Sequence, residues 1–168
     1  MISKRGDIGL SFGMIFSIII IVAIIATAGY ALNYFLKLQK CTEVGLFSKD
    51  LQNKIDDGWN SDSVKDRFVG SVPGSVDEVC IGDIALGKNS DEYEILKIYE
   101  DRGANLFFYP PVGSCDIKYV TLEHARFSGF SCIDVKNGKA TLALEKGAFD
   151  NAVLVKAESW TREGLSLA

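Results

Sequence analysis

Residues 8–36 read IGLSFGMIFSIIIIVAIIATAGYALNYFL and contain no charged side chain. A helix needs only about 20 apolar residues to cross the roughly 30 Å hydrocarbon core of a bilayer. A helix of this length in a small soluble domain would be polar along one face, whereas this stretch is apolar all round. The sequence therefore predicts a transmembrane helix over residues 8–36.

The residues that flank this stretch predict its orientation. Lys4 and Arg5 precede it, and cytoplasmic flanks of membrane helices collect Lys and Arg. All four cysteines lie after it, and an even number of cysteines in a small exported domain is typical of disulfides. We expect the N-terminus to be cytoplasmic and residues 37–168 to be extracytoplasmic.

Length and composition constrain the part of the chain after the membrane helix. The chain has 168 residues, so about 130 remain for a single domain with one core. The formal net charge is −4, which argues against nucleic acid as a partner because nucleic-acid binding needs a basic footprint. Sixteen glycines against three prolines suit a β-rich domain with many turns.

Residues 41–59 predict an amphipathic helix that continues the membrane helix. Apolar side chains recur there at spacings of three and four, as one face of a helix requires. This stripe consists of Cys41, Val44, Phe47, Leu51, Ile55 and Trp59. Gly58 is the expected stop signal, so one continuous helix is predicted from Asp7 to Asp57.

Beyond the helix, the pattern changes to that of strands. A short helix capped by Ser63 is expected over residues 64–69. The expected strands cover residues 76–81, 93–99, 106–109, 117–122, 130–135 and 152–157. Asn137-Gly138 predicts a tight hairpin that joins residues 132–135 to 140–144. The predicted fold class is α+β, a long N-terminal helix followed by a small, mainly antiparallel β domain.

The four cysteines are expected to form two disulfides. Zinc sites usually pair cysteines two to four residues apart, and no such pair exists here. Sequence alone leaves three connectivities open. We favour Cys41–Cys80, which would tie the helix to the first strand, and Cys115–Cys132, which would close a short loop.

No pattern in the sequence predicts catalysis or a cofactor. His124 is the only histidine, and the spacing of Glu123, Cys132 and Asp134 around it supports no catalytic set, so a surface or turn histidine is expected. No stretch has the spacing of a phosphate or calcium loop. We expect neither an enzyme nor a metal site.

The run from Phe107 to Pro111 has two interpretations. Its aromatic side chains could form a binding patch beside two prolines. Alternate aromatics also belong to the buried face of a strand that prolines terminate, and we favour this interpretation.

The N-terminus resembles the signal of archaeal type IV pilin-like proteins, the class III signal peptide. Arg5, Gly6 and Asp7 stand directly before the apolar run, and the resemblance implies that a prepilin-type peptidase cleaves between Gly6 and Asp7. In that family the helix remains as membrane anchor and later as filament core. The family often has Glu where this chain has Ser11, and the difference affects filament assembly more than insertion.

Two other interpretations of the N-terminus remain open. The basic residues could simply orient an uncleaved signal anchor, or Ala26-Thr27-Ala28 could be a conventional signal cleavage site. The predicted organisation of the chain has four parts. Residues 1–7 form a cytoplasmic tail or leader, residues 8–36 the membrane helix, residues 37–59 its amphipathic extension and residues 60–168 the extracytoplasmic β-rich domain.

These patterns indicate two functions. The first is a pilin-like or pseudopilin-like structural subunit at the cell membrane or in a surface filament. Its partners would be the lipid bilayer, a prepilin-type peptidase and copies of its own helix. The second is an uncleaved membrane-anchored binding or accessory module that displays its β domain to an unknown ligand.

Overall fold

A computed structural model describes residues 12–113, 115 and 117–157. The chain divides into two compact units, one up to Lys37 and the other from Leu38. Helix α1 covers Phe12–Trp59. It is followed by eight strands and, between the second and third strands, by short helical turns. The predicted α+β class is confirmed.

The first unit consists of the N-terminal part of α1. Every described side chain from Gly13 to Lys37 is exposed, around the whole circumference of the helix. This helix is long and apolar enough to cross a membrane by length and composition. The structure therefore contains the long apolar helix that the sequence predicted.

The second unit contains two four-stranded sheets. Sheet A has the order β1–β7–β8–β5, and its strands are β1 (Val64–Ser71), β5 (Ala125–Phe127), β7 (Lys139–Lys146) and β8 (Val153–Ala157). Sheet B has the order β4–β3–β2–β6, and its strands are β2 (Glu78–Ile81), β3 (Leu106–Tyr109), β4 (Tyr119–Val120) and β6 (Ser131–Asp134). All neighbours are antiparallel except β5 and β8.

The main core lies where both sheets pack against the C-terminal part of α1. Val44, Phe47, Leu51 and Ile55 are buried on one face of the helix, as their spacing predicted. They belong to one apolar cluster with residues of both sheets, which include Phe68, Val79, Leu106, Phe108, Leu142 and Val155. The amphipathic interpretation of residues 41–59 is confirmed, although Trp59 remains 40% exposed.

The other face of sheet B carries a second, smaller apolar cluster. Cys80 and Phe107 point to it, because neighbouring residues of a strand face opposite sides. Ile84, Leu96 and Tyr99 from the short helical turns cover this face. Both faces of β3 are therefore buried, and the interpretation of the aromatic run as core is confirmed for Phe107 and Phe108.

Two expected elements are wrong in type. Residues 64–69 form strand β1 rather than a helix, because pairing with β7 places Phe68 inside and Arg67 outside with a period of two. Residues 93–99, expected as a strand, form helix α2 (Tyr93–Leu96) and a 3₁₀ helix (Lys97–Arg102). Leu96 and Tyr99 are both buried, and a spacing of three places them on one helical face.

The predicted hairpin is correct in its turn and wrong in its strands. Asn137 and Gly138 have φ angles of 54° and 68°, as a type I′ turn requires. The two flanking segments then separate, since β6 pairs with β2 in sheet B and β7 pairs with β1 and β8 in sheet A. Only a bridge between Lys136 and Lys139 joins them. The turn therefore connects the two sheets.

The remaining expected strands differ mainly in length. Those at residues 76–81, 106–109, 130–135 and 152–157 correspond to β2, β3, β6 and β8. The strand expected over 117–122 shortens to β4 at Tyr119–Val120. Strand β5 (Ala125–Phe127) has no counterpart among the expected strands.

Candidate functional site

Three polar side chains within the apolar helix, those of Ser17, Thr27 and Asn33, bond to the helix backbone. The Ser17 hydroxyl donates to the Gly13 carbonyl at 2.8 Å, and the Thr27 hydroxyl donates to the Ala23 carbonyl at 3.0 Å. The Asn33 amide nitrogen donates to the Gly29 carbonyl at 3.1 Å. A polar group in hydrocarbon is costly unless it has a hydrogen-bond partner. These local bonds lower the cost of placing Ser17, Thr27 and Asn33 in hydrocarbon.

All four cysteines form disulfides, as expected, but the favoured pairing is wrong. The bonds join Cys41 to Cys115 and Cys80 to Cys132. Cys80 and Cys132 face each other directly in the β2–β6 register, with 3.9 Å between their Cα atoms. Cys41 instead ties α1 to the loop before β4. The physical reason is that strand register, which is non-local, decides which cysteines meet.

Cys80 and Cys132 also lie beside Glu78, and the three potential ligand atoms lie within 4.8 Å of one another. Metal binding requires a thiolate, and both sulfurs are already bonded to each other. Burial, together with the neighbouring Glu92 carboxylate, raises the pKa of Glu78. Glu78 and Glu92 therefore form an acidic pair beside a disulfide, and this set of donor atoms does not suit a metal ion.

His124 holds a loop against the C-terminal end of α1. Its ring stacks on Trp59 with centroids 3.8 Å apart, and its Nδ1 lies 3.1 Å from Asp56 Oδ1. The hydrogen bond with His124 is the main cause that lowers the pKa of Asp56. His124 is exposed and has a φ of 55°, so the expectation of a surface or turn histidine is confirmed. The structure does not bring it together with a thiol, since Cys132 is in a disulfide.

The adjacent backbone is held by an amide side chain. Gln52 Nε2 donates to the Glu123 carbonyl at 3.2 Å, and the Glu123 N–H donates to Gln52 Oε1 at 2.9 Å. The Val153 N–H donates to the His124 carbonyl at 2.8 Å. Glu123 and His124 thus have structural partners, and they fix the loop between α1 and β8.

A groove of about 740 Å³ lies along strand β6. All four residues of β6 line it, together with residues of β1, β7, β8 and the turn after β6. The lining residues outside β6 are Arg67, Val69, Lys136, Asn137, Lys139, Thr141 and Ala157. The sequence did not predict this groove, because residues 132–135 and 140–144 were expected to pair in one hairpin, whereas they belong to different sheets.

Gly6 and Asp7, the predicted cleavage site, lie outside the described residues. Comparisons of the chain with protein-family models, with curated proteins and with solved structures find no match. Function is therefore inferred from the apolar helix, the disulfides and the groove.

Proposed function

We propose that this chain is a single-pass, membrane-anchored surface protein with a pilin-like or pseudopilin-like role. In this proposal its apolar helix first anchors the subunit in the bilayer and then packs against copies of itself. The domain from Leu38 onward lies on the extracytoplasmic side of the membrane, and its proposed role is structural rather than catalytic.

The observation that carries the anchor is the exposed apolar surface of α1. Fifteen large apolar side chains from Met14 to Leu36 are exposed. Burying one fully exposed apolar side chain gains about 1.5–3 kcal/mol. These fifteen are 42–76% exposed, so covering all of them gains on the order of 10–25 kcal/mol. That gain is comparable to or larger than the roughly 5–15 kcal/mol by which a whole domain is stable. We infer that lipid or neighbouring helices cover this surface.

The disulfides support an extracytoplasmic domain. Disulfides persist in oxidising compartments and are rare in the cytosol, where thiols are kept reduced. Both disulfides lie in the unit from Leu38 onward, and every cysteine of the chain is paired. Together with Lys4 and Arg5 before the helix, this supports an N-terminus on the cytoplasmic side.

The pilin-like part of the proposal depends on the short sequence before the helix. Arg5-Gly6-Asp7 resembles a prepilin cleavage site, and a long helix continuous with a β domain is the arrangement that pilin-like proteins use. Cleavage after Gly6 would leave the entire apolar run on the mature chain. Self-assembly of that run would cover the same surface that lipid covers in the precursor.

The intact mass of the protein from its native membrane tests this proposal. Loss of residues 1–6 is the expected result. An uncleaved N-terminus would refute prepilin-type processing. Negative-stain electron microscopy of sheared surface material from cells with the wild-type chain and with Gly6→Val, which should block cleavage, then tests assembly. Filaments that disappear in the variant support a pilin, and their absence from both would refute it.

An uncleaved membrane-anchored binding module is the second candidate. The groove along β6 is the observation that favours it, because a structural subunit needs no open groove beside an edge strand. An intact N-terminus combined with a defined ligand for the groove would establish this function instead.

A further inference from the structure

Strand β6 is one of the two edge strands of sheet B, and β4 is the other. Strand β6 pairs with β2, and no described strand pairs with its other side. An edge strand presents unpaired N–H and C=O groups along its open side, where another extended chain can add to the sheet. The open side of β6 faces the groove, because four consecutive residues of the strand line it.

The register shows which backbone groups point into the groove. The Val135 N–H donates to the Asp77 carbonyl at 2.8 Å, so Val135 bonds toward the β2 side. In an antiparallel pair, residues alternate between those that bond to the partner and those that point away. Ile133 therefore bonds toward β2 as well, and the N–H and C=O of Cys132 and Asp134 face the groove. These groups are spaced as a further strand requires.

Sheet A forms the opposite wall of the groove. Val69 and Thr141 are register partners on its outer face, and both line the groove. Val69 is 53% exposed although it is apolar. An added strand would have one row of side chains against this wall, and Val69 would cover an apolar side chain there.

The charge of the groove indicates what kind of strand fits. Lys136 and Lys139 stand at one end of it, exposed, and neither forms an ion pair with a described residue. Asp134 is the single acidic residue among the described residues that line it. Complementary charge steers and orients a partner at such a site. An acidic segment is therefore favoured over a neutral or basic one.

We propose that this groove binds an extended acidic segment of a partner protein, which adds to β6 as a fifth strand of sheet B. Backbone hydrogen bonds to Cys132 and Asp134 would supply affinity, as in other β-strand additions. Lys136 and Lys139 would select acidic side chains. The inference applies whether or not the membrane helix assembles into a filament, so it stands independently of the pilin-like proposal.

The test begins with the full-length chain in nanodiscs, panned against a phage-displayed library of random dodecapeptides. Peptides with Asp or Glu at alternate positions are the expected product. A fluorescein-labelled synthetic version of the enriched peptide then gives a Kd by fluorescence anisotropy. A version with lysine in place of every acidic residue is the matched control and should bind at least tenfold more weakly. Failure to enrich acidic peptides overturns the proposal.

Variants of the groove locate the binding. Lys136→Glu combined with Lys139→Glu should weaken binding at least tenfold. Asp134→Pro removes an N–H that faces the groove and leaves the pairing with β2 intact, so it should abolish binding, whereas Asp134→Ala should retain it. Unchanged binding to the double lysine variant or to Asp134→Pro overturns the proposal.

Two further arms keep the result interpretable. Two peptides test the backbone hydrogen bonds without changing the protein. Each is N-methylated at every second amide, and the two patterns are offset by one residue. Only the peptide whose methyl groups block the amides that face β6 should lose binding, and equal binding of both peptides contradicts strand addition. Binding that appears only after removal of residues 158–168 would show that the chain's own C-terminal residues are the occupant, and a peptide-competed dimer of the chain would show that a second copy is. Either result would overturn the proposed partner.

Discussion

Phe47 provides a sharp test of how the domain is built on α1. Its side chain is 1% exposed, and its ring makes edge-on contacts with Phe68 and Phe108 at centroid distances of 5.3 and 5.7 Å. It therefore links the helix to one strand of each sheet. Phe47→Ala leaves a cavity at this junction, and such truncations cost about 3–5 kcal/mol.

Two other variants separate the causes of that cost. Phe47→Leu fills much of the volume and removes both aromatic contacts, each worth about 0.5–1.5 kcal/mol, so a loss of about 1–3 kcal/mol is expected. Leu46→Ala changes the neighbouring residue, whose side chain is 52% exposed, and should cost less than about 1 kcal/mol. The expected order of stability is Leu46→Ala above Phe47→Leu above Phe47→Ala.

Urea unfolding of the full chain in detergent micelles measures these differences. Trp59 fluorescence reports on the domain in a Trp160→Phe background, because Trp59 stacks on His124 only when the loop is in place. Both disulfides must stay oxidised throughout. If Phe47→Ala costs no more than Leu46→Ala, the C-terminal part of α1 is not a wall of the core, and the proposed packing is wrong.

Three further perturbations test other contacts of the domain. Asp56 has a lowered pKa in the folded protein. Its ionised carboxylate therefore stabilises the fold at pH values above the unfolded pKa of about 3.8, and this stabilisation is lost as the pH falls through the folded pKa. Asp56→Asn should therefore reduce the fall in the urea midpoint between about pH 7 and pH 3, and an unchanged pH profile would contradict this role. Gly70→Ala would place a methyl group closer to the Phe47 ring than van der Waals contact allows, so it should lower the melting temperature strongly. Gly74 has open space around it, so Gly74→Ala should not. Equal melting temperatures of the two variants would contradict the close approach of Gly70 to Phe47. Replacing Cys41 and Cys115 with serine removes a bond that spans 74 residues and should cost roughly 4 kcal/mol in urea unfolding, and a loss below about 1 kcal/mol would contradict the loop-closure argument.

The parts of the fold that were predictable from sequence are those that local patterns determine. The membrane helix is predicted by one uninterrupted apolar run. The buried face of the outer helix is predicted by the spacing of Val44, Phe47, Leu51 and Ile55, because only a helix brings such residues together. The turn at Asn137-Gly138 is predicted by backbone conformations that few residues adopt.

The errors arose where distant contacts override local patterns. Ser63 indicates the cap of a short helix, but pairing with β7 makes the following segment a strand. Residues 93–99 alternate in polarity, yet the apolar cluster on sheet B buries Leu96 and Tyr99 on one helical face. The disulfide pairing depends on β2–β6 register, which no local pattern encodes. The groove was missed for the same reason, since it exists because β6 and β7 belong to different sheets.

The central claim is that residues 13–36 anchor the chain in the membrane and that the domain after them lies on its extracytoplasmic side. Surface labelling of intact cells with a membrane-impermeant amine reagent, followed by peptide mass mapping, tests it most directly. Exposed lysines of the domain that lie outside the groove, such as Lys88 and Lys118, should be labelled before the cells are broken. Labelling of these lysines only after lysis would place the domain inside and contradict the account.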